Sequence, residues 1–265
     1  MASAPDDERI YAGVAASRSF SALITDAVPN LDTIEKGQCF PLYYFEDARL
    51  DGSADARIFD LSSDDRFSRR DAITDQTLAS FQQRFGSDVT KEDIFYYVYG
   101  LLHSPEYKER FAADLKKMIP RIPMTKDFWG LSKAGRDLAD LHLSYETVDP
   151  WPVTSIEPFE LTPEQLRVTK MRFGSGGDKS VIVYNSYVTL RDIPREAYEY
   201  QVNGKLAIEW IMDRYEVKVD KDSGIHNDPN EWSEDPRYVL DLVKRMITVS
   251  VGTMRIVKGL PALSV

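Results

Sequence analysis

The sequence predicts an α+β protein in which a central helical cluster packs with antiparallel β hairpins, and three observations carry that prediction. Residues 72–146 place apolar side chains at three- and four-residue spacing between clear capping signals. The residues before them alternate short apolar runs with Asp/Ser/Gly-rich connectors. The residues after them hold β-branched and aromatic runs around a glycine cluster, then return to helical spacing. The chain divides accordingly into a strand- and loop-rich segment at 1–71, the helical cluster at 72–146, and a hairpin with C-terminal helices at 147–265. All three are read as parts of one functional region.

In the first segment the run Cys39-Phe40-Pro41-Leu42-Tyr43-Tyr44-Phe45 reads as strand, and Asp51-Gly52-Ser53-Ala54-Asp55 as a connector. Beyond Asp71 the period changes, with Leu78, Phe81 and Phe85 on one stripe and Gly86 as the stop. Thr90-Lys91-Glu92-Asp93 resembles a capping box with Asp in place of Glu. It opens a mostly buried helix that carries Ile94, Tyr97, Val98, Leu101 and Leu102. Ser104-Pro105-Glu106 combines an N-cap, a proline at the first helical position and an acid in the first turn, so a third helix is expected from Tyr107 to about Met118. Pro120-Arg121-Ile122-Pro123 must be extended, because proline disfavours helix in itself and in the residue before it. Residues 128–142 then form a fourth helix with Leu131, Leu138, Leu141 and Leu143 as core. Tyr97, Leu101, Phe111, Leu115 and Leu138 are expected to be buried, since all lie on apolar stripes.

A proline-bounded linker, Thr147-Val148-Asp149-Pro150-Trp151-Pro152, leads to a hairpin of residues 168–173 and 180–188. Residues 206–215 and 236–248 are helical, separated by an Asn/Asp/Pro/Gly-rich loop at 220–233. There is no internal repeat.

A 43% apolar fraction supplies a core, and 29% charged residues without a long single-sign block argue against disorder. No apolar run approaches the roughly 20 residues that span a bilayer. The start, MASAPDDERIYAG, is acidic where a signal peptide would be basic, so no membrane partner and a cytoplasmic address are expected. Cys39 is the single cysteine and His103, His142 and His226 are scattered, which excludes an internal disulfide and a closed Cys/His zinc site. Neither zinc, nucleotide nor S-adenosylmethionine is expected as a cofactor.

Nothing in the sequence assembles an active site. Gly174-Ser175-Gly176-Gly177-Asp178-Lys179-Ser180 lacks the glycine that must precede the lysine of a Walker A loop and is followed by strand-like sequence, so it reads as a hairpin turn. Asn227-Asp228-Pro229-Asn230 lacks the second proline and the aromatic of an adenine methyltransferase motif, and reads as a turn. His103 and His142 border apolar faces, as hydrogen-bonded core or capping histidines do. The acid pairs Asp64-Asp65 and Glu234-Asp235 sit in loop-like sequence, where solvated carboxylates are the rule.

The basic residues carry more information. Lys108, Arg110, Lys116, Lys117, Arg121, Lys126, Lys133 and Arg136 fall in one helix, the proline turn and the next helix, and Arg167, Lys170, Arg172, Lys179, Arg191 and Arg195 decorate the hairpin. Either group could hold phosphates, or could be an ordinary solvated face beside Glu106, Glu109, Asp114 and Asp127. The net charge of −10 opposes a uniformly basic surface, so any polyanion contact must be local.

Three stretches resemble the C-terminal specificity, or target-recognition, domain of type ISP restriction-modification enzymes and their helicase-annotated relatives. They are Phe95-Tyr96-Tyr97-Val98-Tyr99-Gly100-Leu101-Leu102-His103-Ser104-Pro105-Glu106-Tyr107 running on to Pro120-Arg121-Ile122-Pro123; Gly135-Arg136 with Leu138-Ala139-Asp140-Leu141-His142-Leu143; and Asn203-Gly204-Lys205 with Ile208-Glu209-Trp210. Ser17-Arg18-Ser19-Phe20-Ser21 and Thr248-Val249-Ser250-Val251 extend the match to nearly the whole chain. The resemblance implies a non-catalytic domain that binds duplex DNA, reads base edges in the major groove, and directs adenine N6 methylation and cleavage by methyltransferase, translocase and nuclease domains elsewhere in a parent protein. Lys116, Lys117, Arg121, Lys126, Lys170, Arg172 and Lys179 are then the expected phosphate contacts, along one concave face. A protein-interaction or scaffolding module is the alternative, one that the acidic charge and many aromatics would suit.

Overall fold

The structure, a computed structural model, describes residues 10–15, 19–29, 37–47, 67–117, 119–156 and 161–264. The connector at 51–55, the acid pair Asp64-Asp65, Ser17, Arg18 and the expected helix end at Met118 lie outside the described residues. The fold is α+β, and the chain forms two compact units, one of residues 1–143 with 259–265 and one of residues 144–258. Among the described residues no helix is long and apolar enough to cross a membrane.

The first unit opens on β1 (Tyr11–Ala15), β2 (Ser21–Thr25) and β3 (Gln38–Pro41), an antiparallel sheet with β1 central, in the register Tyr11 opposite Thr25 and Pro41. β4 (Tyr43–Asp47) pairs with β5 (Phe67–Asp71) as a second antiparallel ribbon. Leu42 is buried between the two, its N–H donating to Ile10 and its carbonyl accepting from Ala72. Helix α1 (Asp75–Phe85) starts at Thr74, whose hydroxyl accepts from the Thr77 N–H at 3.2 Å, and stops at Gly86 with φ 110°. Helix α2 (Lys91–His103) begins with the expected capping box: the Thr90 hydroxyl accepts from Asp93 N–H at 3.1 Å and the Asp93 carboxylate accepts from Thr90 N–H at 3.0 Å.

The third helix corrects the expectation of one element from Tyr107 to Met118. Helix α3 (Pro105–Arg110) starts where Ser104-Pro105 dictate, but the chain leaves helical geometry at Phe111 (φ −109°, ψ 16°) and resumes as α4 (Ala112–Leu115). Tyr107 and Leu115 are both buried, yet eight residues along an unbroken helix would set them roughly 80° apart. The kink turns both inward and leaves Phe111 half-buried, against expectation, while Tyr97, Leu101, Leu115 and Leu138 are buried as expected. Asp127 caps the Gly130 N–H at 2.9 Å and opens α5 (Phe128–Leu143), where Leu131 and Leu138 are buried and Leu141 and Leu143 half-buried.

Helices α2 and α5 form the centre of this unit, with β2 packed on both. Their approach is set by glycine. A Cβ at Gly135 would lie 1.8 Å from the Tyr96 carbonyl oxygen, and one at Gly100 would lie 2.3 Å from that of Leu131. Beside the crossing Phe81, Phe85, Tyr97 and Phe128 cluster, Phe85 stacking on Phe128 at 4.9 Å. The C-terminal residues return to this unit: Leu263 is buried, and its N–H donates to Glu106 at 2.8 Å.

In the second unit, β6 (Thr154–Ile156), helix α6 (Pro163–Leu166), β7 (Arg172–Phe173), β8 (Ile182–Val183) and β9 (Thr189–Arg191) build a four-stranded antiparallel sheet ordered β6-β9-β8-β7, with α6 outside it. The glycine cluster forms the β7–β8 turn, with Gly176 and Gly177 at φ 70° and 81°, so the hairpin reading holds although its strands are shorter than expected. β10 (Gln201–Val202) and β11 (Lys205–Leu206) form a second hairpin on Asn203-Gly204, both in left-handed geometry, and lead into α7 (Ala207–Arg214). β12 (Lys218–Val219) pairs with β13 (His226–Asn227). The last helix, α8 (Tyr238–Lys258), runs ten residues past the expected end at Thr248. Its β-branched stretch discouraged helix on propensity, but burial of Val243, Ile247 and Val251 against Ile182, Leu190 and Ile208 decides the outcome.

Candidate nucleic-acid interface

In the first unit, the tyrosines of the helices determine how the Pro-Arg-Ile-Pro segment is displayed. Two prolines remove two backbone donors, so the carbonyls of this segment need partners from elsewhere. The Tyr107 hydroxyl donates to the Arg121 carbonyl at 2.7 Å, and the Tyr97 hydroxyl donates to the Pro123 carbonyl at 2.5 Å while accepting from the Thr125 N–H at 3.0 Å. Lys126 is held next, its N–H donating to Ser264 at 2.7 Å. The backbone of 121–126 is thereby fixed with Lys116, Lys117, Arg121 and Lys126 all exposed, and none of the four pairs with a described acid. Ile119, 53% exposed, stands among them. This is a cationic loop with a rigid base.

The other cations of that group play different roles. Arg136 donates to Asp93 at 2.7 Å and lies 4.5 Å above the Tyr96 ring, tying α5 to the capping box of α2. Lys133 pairs with Asp137 along the helix at 2.6 Å. Burial pulls the Lys108 ammonium down to about 8, so it is a desolvated lysine and not part of a solvated face.

Both histidines of this unit are buried and hydrogen-bonded, as the sequence indicated. His142 Nδ1 meets the Tyr99 hydroxyl at 2.6 Å and His103 Nδ1 meets the Tyr99 carbonyl at 2.9 Å. Burial pulls His142 down to about 4, and burial with the Lys108 charge and His142 takes His103 well below its ordinary value. Both are neutral core groups at pH 7.

In the second unit the three expected contacts differ in availability. Arg172 is exposed on β7. Lys170 is paired with Glu216 at 2.7 Å, and Lys179 lies 3.8 Å from Glu209, above the rings of Phe173 and Tyr198 at 5.5 and 5.6 Å. Lys170 and Lys179 are thus partly neutralised by separate acids. Among the described residues no group of three His, Cys, Asp or Glu could hold a metal ion.

The sequence did not single out the most constrained cation of this unit. Arg167 donates to Asp228 at 2.6 Å, with the arginine side chain 48% exposed and the carboxylate 8% exposed. Asp228 also accepts from the backbone N–H and side-chain amide of Asn230 at 2.9 and 2.6 Å. Burial pushes the Asp228 carboxyl up, but these hydrogen bonds and the Arg167 charge outweigh it and hold the group below its usual range. Asn230 pairs with both the N–H and the carbonyl of Val168, at 2.7 and 3.0 Å. Asn227-Asp228-Pro229-Asn230 is a turn as expected, and the side chains of Asp228 and Asn230 have structural partners 61 and 62 residues away.

The protein matches the family model described as the Type ISP C-terminal specificity domain over residues 9–242, and it belongs to that family. Among solved structures it is similar to an ATP-dependent Type ISP restriction-modification enzyme, LlaBIII, bound to DNA, at 35% identity and a TM-score of 0.83 over 97% of this chain and 16% of that one. It is also similar to a nuclease-deletion mutant of the Type ISP enzyme LlaGI in complex with a DNA substrate mimic (35% identity, TM-score 0.78, covering 97% and 18%). A third relative, from a DrdV–DNA complex, is 30% identical with a TM-score of 0.77, covering 97% and 25%. The chain therefore spans a quarter or less of the length of each of these proteins. No curated protein matches it.

Proposed function

We propose that this domain recognises a specific duplex DNA sequence on behalf of a restriction-modification enzyme, and that methyltransferase and translocase or nuclease domains of a parent protein carry out the chemistry, adenine N6 methylation and cleavage, in the cytoplasm. The observation that carries this reading is the match along 97% of the chain, at 35% identity, to enzymes solved with DNA. The acidic total is compatible with it because the cations that matter are local: Lys116, Lys117, Arg121 and Lys126 are all exposed, and the backbone at 121–125 is pinned by Tyr97 and Tyr107. Lys116, Lys117, Arg121, Lys126 and Arg172 act as phosphate contacts, with Lys170 and Lys179 contributing less because Glu216 and Glu209 already neutralise part of their charge.

Each phosphate contact releases condensed counterion, so its removal weakens binding to every sequence and flattens the salt dependence. Replacing Lys116, Lys117 and Arg121 together by alanine is expected to lower the slope of log affinity against log salt by about 3 units in duplex titrations at 50 to 200 mM salt. An unchanged affinity and slope would remove the loop from the interface.

A further inference from the structure

The second unit contains an open concavity of about 630 Å³ whose wall includes Arg167, Thr169, Lys170, Asn185, Tyr187 and Glu216. Its lining is slightly acidic, with Glu164, Glu216 and Asp228 outnumbering the cations Arg167 and Lys170, so a phosphate approaching it meets more repulsion than attraction. A base edge, which is dipolar but carries no net charge, meets no such penalty. What distinguishes the wall is rigidity. Asn185 accepts from the N–H groups of Tyr187 and Val188, both at 2.8 Å, and donates to the carbonyls of Gln165 and Arg167 at 2.8 and 3.0 Å. This one buried amide fixes the β8–β9 turn, which displays the half-exposed Tyr187 ring, and fixes the main chain of Arg167 as well. Asn230 clamps the following residue on both its N–H and its carbonyl, and the buried Asp228 holds one terminal nitrogen of the Arg167 guanidinium.

An arginine held at its own carbonyl, at the next residue and at one guanidinium nitrogen loses little further rotamer freedom on binding. The side chain as a whole is half-exposed and lines the concavity. A planar fork with two free N–H groups matches the paired acceptors O6 and N7 that guanine presents in the major groove. We propose that Arg167, buttressed by Asp228, reads one guanine of the recognition sequence by this bidentate contact, an assignment that rests on the DNA-recognition reading above. The phosphates are then held elsewhere, and the slightly acidic concavity discriminates between bases.

The test uses the 265-residue chain. Duplexes are selected from a randomised pool by the wild type, and each guanine of the recovered motif is replaced singly by 7-deazaguanine, which removes N7 and keeps Watson–Crick pairing. At one guanine the replacement is expected to weaken wild-type binding by about 10-fold or more, and to have no effect on binding by Arg167→Lys. The lysine variant keeps a charge for Asp228 but lacks the fork. Arg167→Gln, which also lacks the fork, serves as a second variant should Arg167→Lys fail to fold. A motif without guanine, or 7-deazaguanine losses that are the same in wild type and variant, overturns the assignment while leaving DNA recognition intact. Failure of the wild type to enrich any motif removes DNA recognition and this assignment together.

Discussion

At the scale of single residues, the buried pair His103 and His142 gives the domain a defined acid sensitivity. His142 titrates near 6.5 when unfolded and about 4 when folded, because burial penalises its charged form. A depressed histidine contributes stability that is present above the unfolded value and is lost as pH falls from about 6.5 toward 4, since over that window the unfolded chain binds the extra proton. The full contribution of His142 is on the order of 3 kcal/mol, and His103 acts in the same direction. Urea unfolding of His142→Gln across pH 4 to 7 is expected to show a shallower loss of stability on acidification than the wild type; parallel pH profiles would place the sensitivity elsewhere. Single residues were only partly legible in the sequence. The histidines were recognisable as core groups because they flank apolar stripes. Arg167 was one of six cations on a hairpin, and only the fold brings it to Asp228, 61 residues distant.

At the scale of elements, the α2–α5 crossing explains why glycine stands at 100 and 135 in the two stretches that carry the family resemblance. With a Cβ at Gly135 only 1.8 Å from a main-chain oxygen, no side-chain rearrangement relieves the overlap, and the helices must separate. Gly135→Ala is therefore expected to destabilise the first unit by about 2 to 3 kcal/mol, even though alanine favours helix by about 1 kcal/mol. An unfolding midpoint at or above that of wild type, with unchanged slope in denaturant, would show that the helices do not approach as closely as described. Capping chemistry made two helix starts readable: Thr90 and Ser104 cap where the sequence placed them, while the Thr74 cap of α1 is a finding of the structure. Ends and interruptions were less legible, because the break at Phe111 and the extension of α8 through Val251 depend on which face is buried, a tertiary property that local propensity does not encode. The Asn203-Gly204 hairpin carried a signal in its dipeptide, a left-handed pair joining two very short strands.

At the scale of the whole molecule, the net charge of −10 was the strongest sequence argument against a nucleic-acid partner, and the structure shows why a sum misleads. Acids such as Asp93, Glu216 and Asp228 are engaged with cations of the fold, while the four cations of the 116–126 segment have no acidic partner among the described residues. Charge that is consumed internally contributes little to what a duplex meets at contact distance, and screening at physiological salt confines the remainder to within about 8 Å. The most direct measurement of sequence-specific recognition is the ratio of affinities of the wild-type chain for its best selected duplex and for a scrambled duplex of equal composition, at 150 mM salt. A ratio of about 1,000 or more is expected of a specific DNA-binding domain. Equal affinity for the two duplexes, or binding to neither, would contradict it.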